Sequence, residues 1–222
     1  MLDTVVFLND KVITFFSNEV HLAKINAEVD TVLAKRFHVS GYPTAVLVNA
    51  DGTEIDRIVG YADPDEYIKT VDDYRNGIGT LDDLLGKHAA KPDREMAFEI
   101  ADKYKYRGKA EDAEIWFLSV IEVGEPLDSM SGLSRLAIAN MFYRAKEYDR
   151  SISAYKQVAK DFSTAWVTEE ADVYTAYVTH KMGDTASAIA AYELFLKKHP
   201  KSDDAKWAGE QIAKLKGMGT EK

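Results

Sequence analysis

The second half of the 222-residue sequence repeats itself, and this repetition is the feature that most constrains the fold. Three segments align so that small residues fall in register at two positions, and an aromatic residue follows the second position four residues later. The small residues are Ala101, Ala139 and Ala176, then Ala113, Ser151 and Ala188, and the aromatic residues are Phe117, Tyr155 and Tyr192. Helices approach closely where side chains are small, and a large ring can fill the space behind them. The pattern predicts a stack of helix pairs.

This pattern resembles the tetratricopeptide repeat, a helix-turn-helix unit with a usual period of about 34 residues. The third unit, "GDTASAIAAYELFLKKHP", is the most similar, with Gly183 at the turn between its helices and Pro200 at its end. The second unit departs from the family because Lys146-Glu147 stands at its turn instead of a glycine. An ordinary helical bundle is the alternative interpretation.

A second departure lies early in each first helix, where the family carries a large residue. Ala97, Arg135 and Asp172 occupy these positions here. The segment "SDDAKWAGEQIAKLKG", residues 202–217, looks like the polar-faced capping helix that such arrays need. We therefore predict three helix pairs and a cap over residues 93–217, preceded by a helical linker over 79–92.

The first 78 residues alternate between helical and strand patterns. The predicted order is a helix over 4–17, a buried strand over 20–26, a helix over 31–39, a strand over 44–49, a return strand over 54–60 and a helix that begins at Asp63-Pro64 and ends at Gly77. Asp51-Gly52 supplies the turn between the last two strands.

This order, with Gly-Tyr-Pro-Thr before a strand, resembles the second part of a thioredoxin-like domain. The resemblance covers residues 1–78 and implies an α/β fold. It also implies a cis-proline corner formed by Tyr42, Pro43 and Thr44, which in that family pairs with an extended substrate and faces a Cys-x-x-Cys motif. The fold class is therefore an incomplete α/β thioredoxin-like domain followed by an all-α domain of tetratricopeptide-like repeats.

The sequence contains no cysteine, so this chain has no thiolate nucleophile, disulfide or cysteine metal ligand. In the resembling family, the redox motif would lie just before a helix like 4–17, and a further strand would lie between those matching 20–26 and 44–49. Three explanations are open: the chain is a fragment of a longer protein, which we favour, the two strands pair directly, or a partner chain supplies the strand.

Other chemistry finds little support in the sequence. The formal net charge is -9, without the basic excess typical of nucleic-acid binding, and no apolar run reaches the ~20 residues that span a bilayer. The five histidines lack metal-ligand spacing. We predict no catalytic residue, no metal and no cofactor. The localisation is cytoplasmic for the chain as written, or periplasmic or exported if an N-terminal segment is missing.

The repeats predict a surface for a protein or peptide partner. In resembling arrays the first helix of each unit lines the concave face. The predicted groove residues are Phe98, Asp102, Lys105 and Tyr106 in the first unit, Leu136, Asn140, Tyr143 and Arg144 in the second, and Val173, Tyr177, His180 and Lys181 in the third. Tyrosines supply contact area, and cations can hold a carboxylate.

The sequence thus predicts a protein-interaction module without redox activity of its own. The alternative is a fragment of a thiol-disulfide oxidoreductase whose Cys-x-x-Cys lies upstream of Met1. A homo-oligomer formed through the open sheet is a third interpretation.

Overall fold

The computed structural model describes residues 2–162 and 165–218, and divides into two compact units, Met1–Ala113 and Glu114–Lys222. The domain boundaries predicted from the sequence lie at residues 78 and 92 instead of after Ala113. These predicted domain boundaries stay a prediction.

The first unit begins with a short π-helical turn, Leu2–Val6, followed by α1, Asp10–Glu19. The prediction of one helix over 4–17 is wrong, because the helical geometry is interrupted between Val6 and Asp10. The Asn9 side chain accepts a hydrogen bond from the Lys11 backbone N–H at 3.0 Å and so starts a new helix. A further helix, α2, covers Thr31–Arg36.

The predicted buried strand over 20–26 is absent from the described structure. Residues 20–26 have no strand geometry, and Leu22 and Ile25 are 51% and 45% exposed. A strand needs a neighbour to pair its backbone groups, and the sheet seen in the described residues contains two other strands only. The segment therefore does not pair directly with 44–49.

The two strands are β1, Thr44–Val48, and β2, Glu54–Val59, which pair as an antiparallel hairpin. Gly52 has a φ of +80°, a conformation that glycine adopts without steric cost, and it closes the predicted turn. The register places Thr44 opposite Val59 and Leu47 opposite Asp56, with an irregularity between Leu47 and Val48.

Two capped helices follow the hairpin. Helix α3, Pro64–Arg75, begins as predicted at Asp63, whose carboxylate accepts from the backbone N–H groups of Asp65 and Glu66 at 3.0 Å each. Helix α4, Leu81–Ala90, begins after Thr80, whose hydroxyl caps it. Val6, Val12, Tyr67 and Val71 form the buried core of α1, α3 and the N-terminal turn.

The first unit also contains α5, Arg94–Tyr106, which a buried ion network joins to β2. Asp56, fully buried, faces Lys103 Nζ at 3.1 Å and Arg107 Nη2 at 2.9 Å and accepts from the Leu81 backbone N–H at 2.8 Å. The neighbouring Arg57 binds the Glu54 carboxylate through Nε at 2.7 Å and donates to the Tyr106 carbonyl at 2.5 Å. Charges this deeply buried need partners, and here each has one.

The remaining helices follow one another with short connections. They are α6, Ala110–Val123, α7, Ser129–Arg144, α8, Tyr148–Asp161, α9, Ala165–Met182, α10, Thr185–Lys198, and α11, Ala205–Met218. In the second unit, α7 to α11 each pack on the next helix, and α7 also packs on α9.

The repeat positions are buried as the sequence predicts. All six small residues in register are fully buried, and so are the three aromatic residues that follow them, with exposures of at most 1%. Ser151, the polar member, donates its hydroxyl to the Ala139 carbonyl at 2.8 Å, which joins α7 to α8 at the point of closest approach.

The turn inside each helix pair has the same backbone geometry in all three pairs. Gly108, Lys146 and Gly183 have φ values of +70°, +63° and +93°. Lysine therefore adopts the left-handed conformation that glycine adopts in the other two pairs. None of the described helices is both long and apolar enough to cross a membrane.

Candidate peptide-binding surface

Four aromatic side chains from three helices of the second unit contact one another in edge-to-face or tilted arrangements. Tyr143 of α7, Tyr174 and Tyr177 of α9, and Trp207 of α11 are all half-buried, so each ring is partly accessible. The Tyr177 ring centroid lies 5.5 Å from that of Tyr143, 6.2 Å from Tyr174 and 6.1 Å from Trp207. We call these four residues the aromatic surface.

Helix geometry and a hydrogen bond hold this surface together. Tyr174 and Tyr177 are three residues apart on α9 and so share one face of the helix. The Tyr143 hydroxyl donates to the Tyr177 hydroxyl at 3.3 Å. This hydrogen bond, followed by partial burial, raises the pKa of Tyr143 above its ordinary value, so the hydroxyl stays protonated at neutral pH.

Arg144 and Asn140 stand on α7 beside Tyr143. The Arg144 Nε donates to the Asn140 side-chain oxygen at 3.0 Å, and the Asn140 amide also hydrogen-bonds the buried Tyr155 hydroxyl. The Asn140 amide thus hydrogen-bonds two side chains of the protein itself. Through one of these hydrogen bonds it orients the exposed Arg144 side chain.

Lys181 and His180 end the same face of α9. Lys181 Nζ lies 5.2 Å from the centroid of the Tyr177 ring, a cation–π contact. His180 is half-buried with its ring edge-on to Tyr192 at 6.3 Å. Partial burial and then Lys181 lower the pKa of His180, so this imidazole is neutral at pH 7.

Two carboxylates lie at the other end of the aromatic surface. Glu170 is half-buried on α9, one turn before Tyr174, and Asp204 directly precedes α11. Burial, and then the charge of Asp204, raises the pKa of Glu170. Burial raises the pKa of Tyr174, the charges of Glu170 and Asp204 add to this effect, and the charge of Arg144 opposes it.

The other predicted groove residues are placed differently. Leu136 and Val173 are each 5% exposed and pack in the core of the second unit. On α5 of the first unit, Phe98 is half-buried, and Lys105 pairs with Asp102 and lies 4.4 Å from the Tyr106 ring. The described structure thus brings Asn140, Tyr143, Arg144, Tyr177 and Lys181 together around the aromatic surface.

Sequence reasoning missed Tyr174, Trp207, Glu170 and Asp204. Tyr174 and Glu170 precede Tyr177 at helical spacing on the same face of the helix. The sequence of the third unit could therefore have predicted that both residues lie beside Tyr177. Trp207 and Asp204 belong to the segment interpreted as a polar cap. The helix α11 buries Ala208 and Leu215 against α9 and α10, and its tryptophan joins the aromatic surface, while its role as a cap stays a prediction.

The predicted corner belongs to the first unit. The peptide bond between Tyr42 and Pro43 is cis, and Tyr42 is 66% exposed. The Thr44 hydroxyl donates to the Gly41 carbonyl at 2.8 Å, and the Gly60 N–H donates to the Pro43 carbonyl at 2.9 Å. The hairpin thus holds the corner from both sides.

In the part of the chain that the structure describes, no cluster of three or more His, Asp or Glu side chains could hold a metal.

The fold therefore defines a chain with an α/β hairpin domain and an all-α array of helix pairs. Comparison with protein families agrees: residues 4–75 match the thioredoxin-like domain, and residues 170–202 match the tetratricopeptide repeat. The chain thus carries both a thioredoxin-like domain and a tetratricopeptide repeat. A search of curated proteins finds no significant match to the chain.

Proposed function

We propose that this chain is a protein-interaction module whose second unit binds an extended peptide segment on the aromatic surface. The observation that carries the proposal is the contact of four partly accessible rings from α7, α9 and α11. Tyrosine and tryptophan are enriched among residues that contribute most to binding, because they bury a large area at a low entropy cost.

The cations on this surface suit an acidic group of the partner. Arg144 is exposed and hydrogen-bonded to the neutral Asn140 amide, and Lys181 lies over the ring of Tyr177. Guanidinium and ammonium groups in these positions can bind a partner carboxylate through charge-assisted hydrogen bonds. A peptide laid across the rings would be fixed at one end by this contact.

The test is a peptide-binding measurement on the whole chain. We expect the double variant Tyr143→Ala/Arg144→Ala to weaken the binding of peptides selected from a random library by at least about tenfold, a typical loss at such positions. The control is Lys160→Ala/Leu194→Ala, two exposed residues on α8 and α10 of the same unit. Unchanged binding by a well-folded Tyr143→Ala/Arg144→Ala protein would overturn the proposal.

A thiol-disulfide oxidoreductase is the second candidate, favoured by the match of residues 4–75 to the thioredoxin-like domain. The 222 residues contain no cysteine, so this activity would need thiols from outside them. The intact mass of the protein from its native cell, with a thiol titration after reduction, separates the candidates. A mass above the 24.8 kDa of this sequence together with two reactive thiols supports the enzyme.

A further inference from the structure

We propose that Tyr143 and Tyr177 form a modification site, at which a one-electron oxidant of the peroxide class joins their two rings into a dityrosine crosslink. The crosslink would tie α7 of the second helix pair to α9 of the third. This inference concerns the chemistry of the two side chains and stands without the proposed function.

The two phenol rings approach each other at the ends that react. A dityrosine forms through a bond between two ring carbons, each next to the carbon that bears the hydroxyl, so the hydroxyl ends have to converge. The hydroxyl oxygens of Tyr143 and Tyr177 lie 3.3 Å apart, whereas the ring centroids lie 5.5 Å apart. The rings therefore converge towards their hydroxyl ends, where the reactive carbons lie.

The angle between the two rings suits the product as well. Two phenols joined beside their hydroxyl groups form a biphenyl, and crowding next to the new bond keeps its rings twisted out of one plane. The ring planes of Tyr143 and Tyr177 are 62° apart. The rings thus start with a twist of the kind that the product keeps.

The neighbouring tyrosine pairs lack this geometry. Tyr155 and Tyr174 have centroids 5.4 Å apart, but they are stacked at 13°, and Tyr155 is only 1% exposed. Stacked rings present their faces instead of the edges at which the bond forms. Tyr148 lies 6.2 Å from Tyr143 and is tilted by 34°. Among the residues that the structure describes, neither of these pairs has a hydrogen bond between its hydroxyls.

The chemistry needs an oxidant that reaches both rings, and solvent does reach them, because Tyr143 and Tyr177 are half-buried. Each tyrosine loses one electron to the oxidant and its hydroxyl proton to water. The unpaired electron of each radical is shared between the oxygen and the ring carbons beside it. Two radicals pair their electrons in one carbon–carbon bond. The hydrogen on each bonded carbon then leaves as a proton, and a proton returns to each oxygen, which restores both phenols.

A crosslink at this site would act as a staple within the second unit. Tyr143 lies near the end of α7, and Tyr177 lies in α9, 34 positions further along the chain. A covalent link across such a loop limits the conformations of the unfolded chain and so favours the folded state. It would also hold two of the four rings of the aromatic surface at a fixed separation.

The experiment uses the full chain at low concentration, with photoexcited tris(bipyridine)ruthenium(II) as the oxidant. Persulfate, a peroxide, accepts the two electrons and becomes two sulfate ions. After a brief exposure, the monomer is isolated by size, which removes links between molecules, and is digested with trypsin. Cleavage after lysine and arginine places Tyr143 in the peptide 136–144 and Tyr177 in the peptide 161–181. Mass spectrometry then quantifies the linked pair of peptides, whose mass is their sum minus two hydrogen atoms.

We expect this linked pair in the wild-type monomer. Tyr143→Phe and Tyr177→Phe each keep the ring and remove one hydroxyl. Each should lower the yield of the linked pair at least about tenfold, because proximity and orientation drive intramolecular reactions of this kind. The matched controls, Tyr148→Phe and Tyr174→Phe, remove the hydroxyls of the neighbouring rings and should leave the yield unchanged. The linked monomer should also unfold at a higher urea concentration than the unlinked monomer.

Other outcomes overturn the inference. A wild-type monomer without the linked pair, or a link found only in dimers, would show that the two rings do not couple within one chain. A yield that falls as far in Tyr174→Phe as in Tyr177→Phe would assign the link to another ring. Equal urea midpoints for the linked and unlinked monomers would remove the staple. Peptide binding by the unoxidised protein enters none of these results, so the proposed function is tested separately.

Discussion

The Asp56 carboxylate and the Lys103 ammonium form a buried ion pair, with Oδ2 and Nζ 3.1 Å apart and side-chain exposures of 0% and 10%. Asp56 comes from the hairpin of the thioredoxin-like domain, and Lys103 comes from the helix predicted to begin the repeats. Arg107 binds the second carboxylate oxygen at 2.9 Å. The hairpin and α5 are therefore parts of one compact unit.

Asp56→Asn should lower the free energy of unfolding by about 3 kcal/mol, because it leaves the buried Lys103 without its carboxylate and leaves Arg107 with Glu54 alone. Urea denaturation followed by circular dichroism measures the change. The comparison is Asp65→Asn, which removes the exposed ion pair with Lys11, where both side chains are about 70% exposed and little change is expected. An equal loss in both variants would contradict the assigned role of the network.

Lys146→Gly should raise the stability by about 0.5–1 kcal/mol. A non-glycine residue with φ near +60° is sterically strained, and glycine relieves this strain while adding some entropy to the unfolded chain. Gly183→Ala is the converse substitution in the next repeat, and it should destabilise by about 1 kcal/mol. No atom lies within 4 Å of the added methyl group, so the effect comes from the backbone alone. Thermal melts of both variants test the sign of each change.

Tyr192→Phe should leave the stability unchanged or raise it by up to about 1 kcal/mol. The Tyr192 hydroxyl is buried and has no hydrogen-bond partner in the described structure, so its removal relieves a desolvation cost. At the equivalent position one repeat earlier, Tyr155 hydrogen-bonds Asn140. Tyr155→Phe should therefore lower the stability by about 1 kcal/mol. Opposite signs in paired urea titrations would support this assignment, and equal losses would count against it.

The first unit should lose stability between about pH 10 and pH 12 through Tyr67. Burial raises the pKa of Tyr67 from 10.0 to about 12, so the unfolded chain gives up this proton at lower pH than the folded chain. In that interval the folded state binds more protons, and stability falls as pH rises. Denaturation at a series of pH values, with Tyr67→Phe as the reference, isolates this contribution. A wild-type decrease identical to that of Tyr67→Phe would refute it.

Local signals predicted much of this fold. The buried small residues follow from the alignment of the three segments. The turn at Gly52 and the cap at Asp63 depend on residues a few positions away, so the local sequence is enough to predict them. The prediction of a strand over 20–26 failed because a strand depends on a distant partner. Apolar residues in the segment do not show whether a neighbouring strand is present to pair with it. Asp56 was equally out of reach, since its partners Leu81, Lys103 and Arg107 lie far along the chain.

The candidate surface was predicted in part. Mapping the same four helix positions in each unit selected Tyr143, Arg144, Tyr177 and Lys181, which lie together in the structure, and also Leu136 and Val173, which pack in the core. A fixed mapping cannot follow small rotations of each helix about its axis, and it cannot include α11, which lies outside the repeats. Trp207 and Asp204 needed the packed structure.

The buried partners of Asp56 also bear on how the chain folds while it is being made. During synthesis, the hairpin leaves the ribosome well before Lys103 and Arg107 do, so its carboxylate first meets water instead of counterions. The hairpin cannot take its final buried environment until α5 has emerged. Translation through the first helix of the array is thus the step that completes the thioredoxin-like unit.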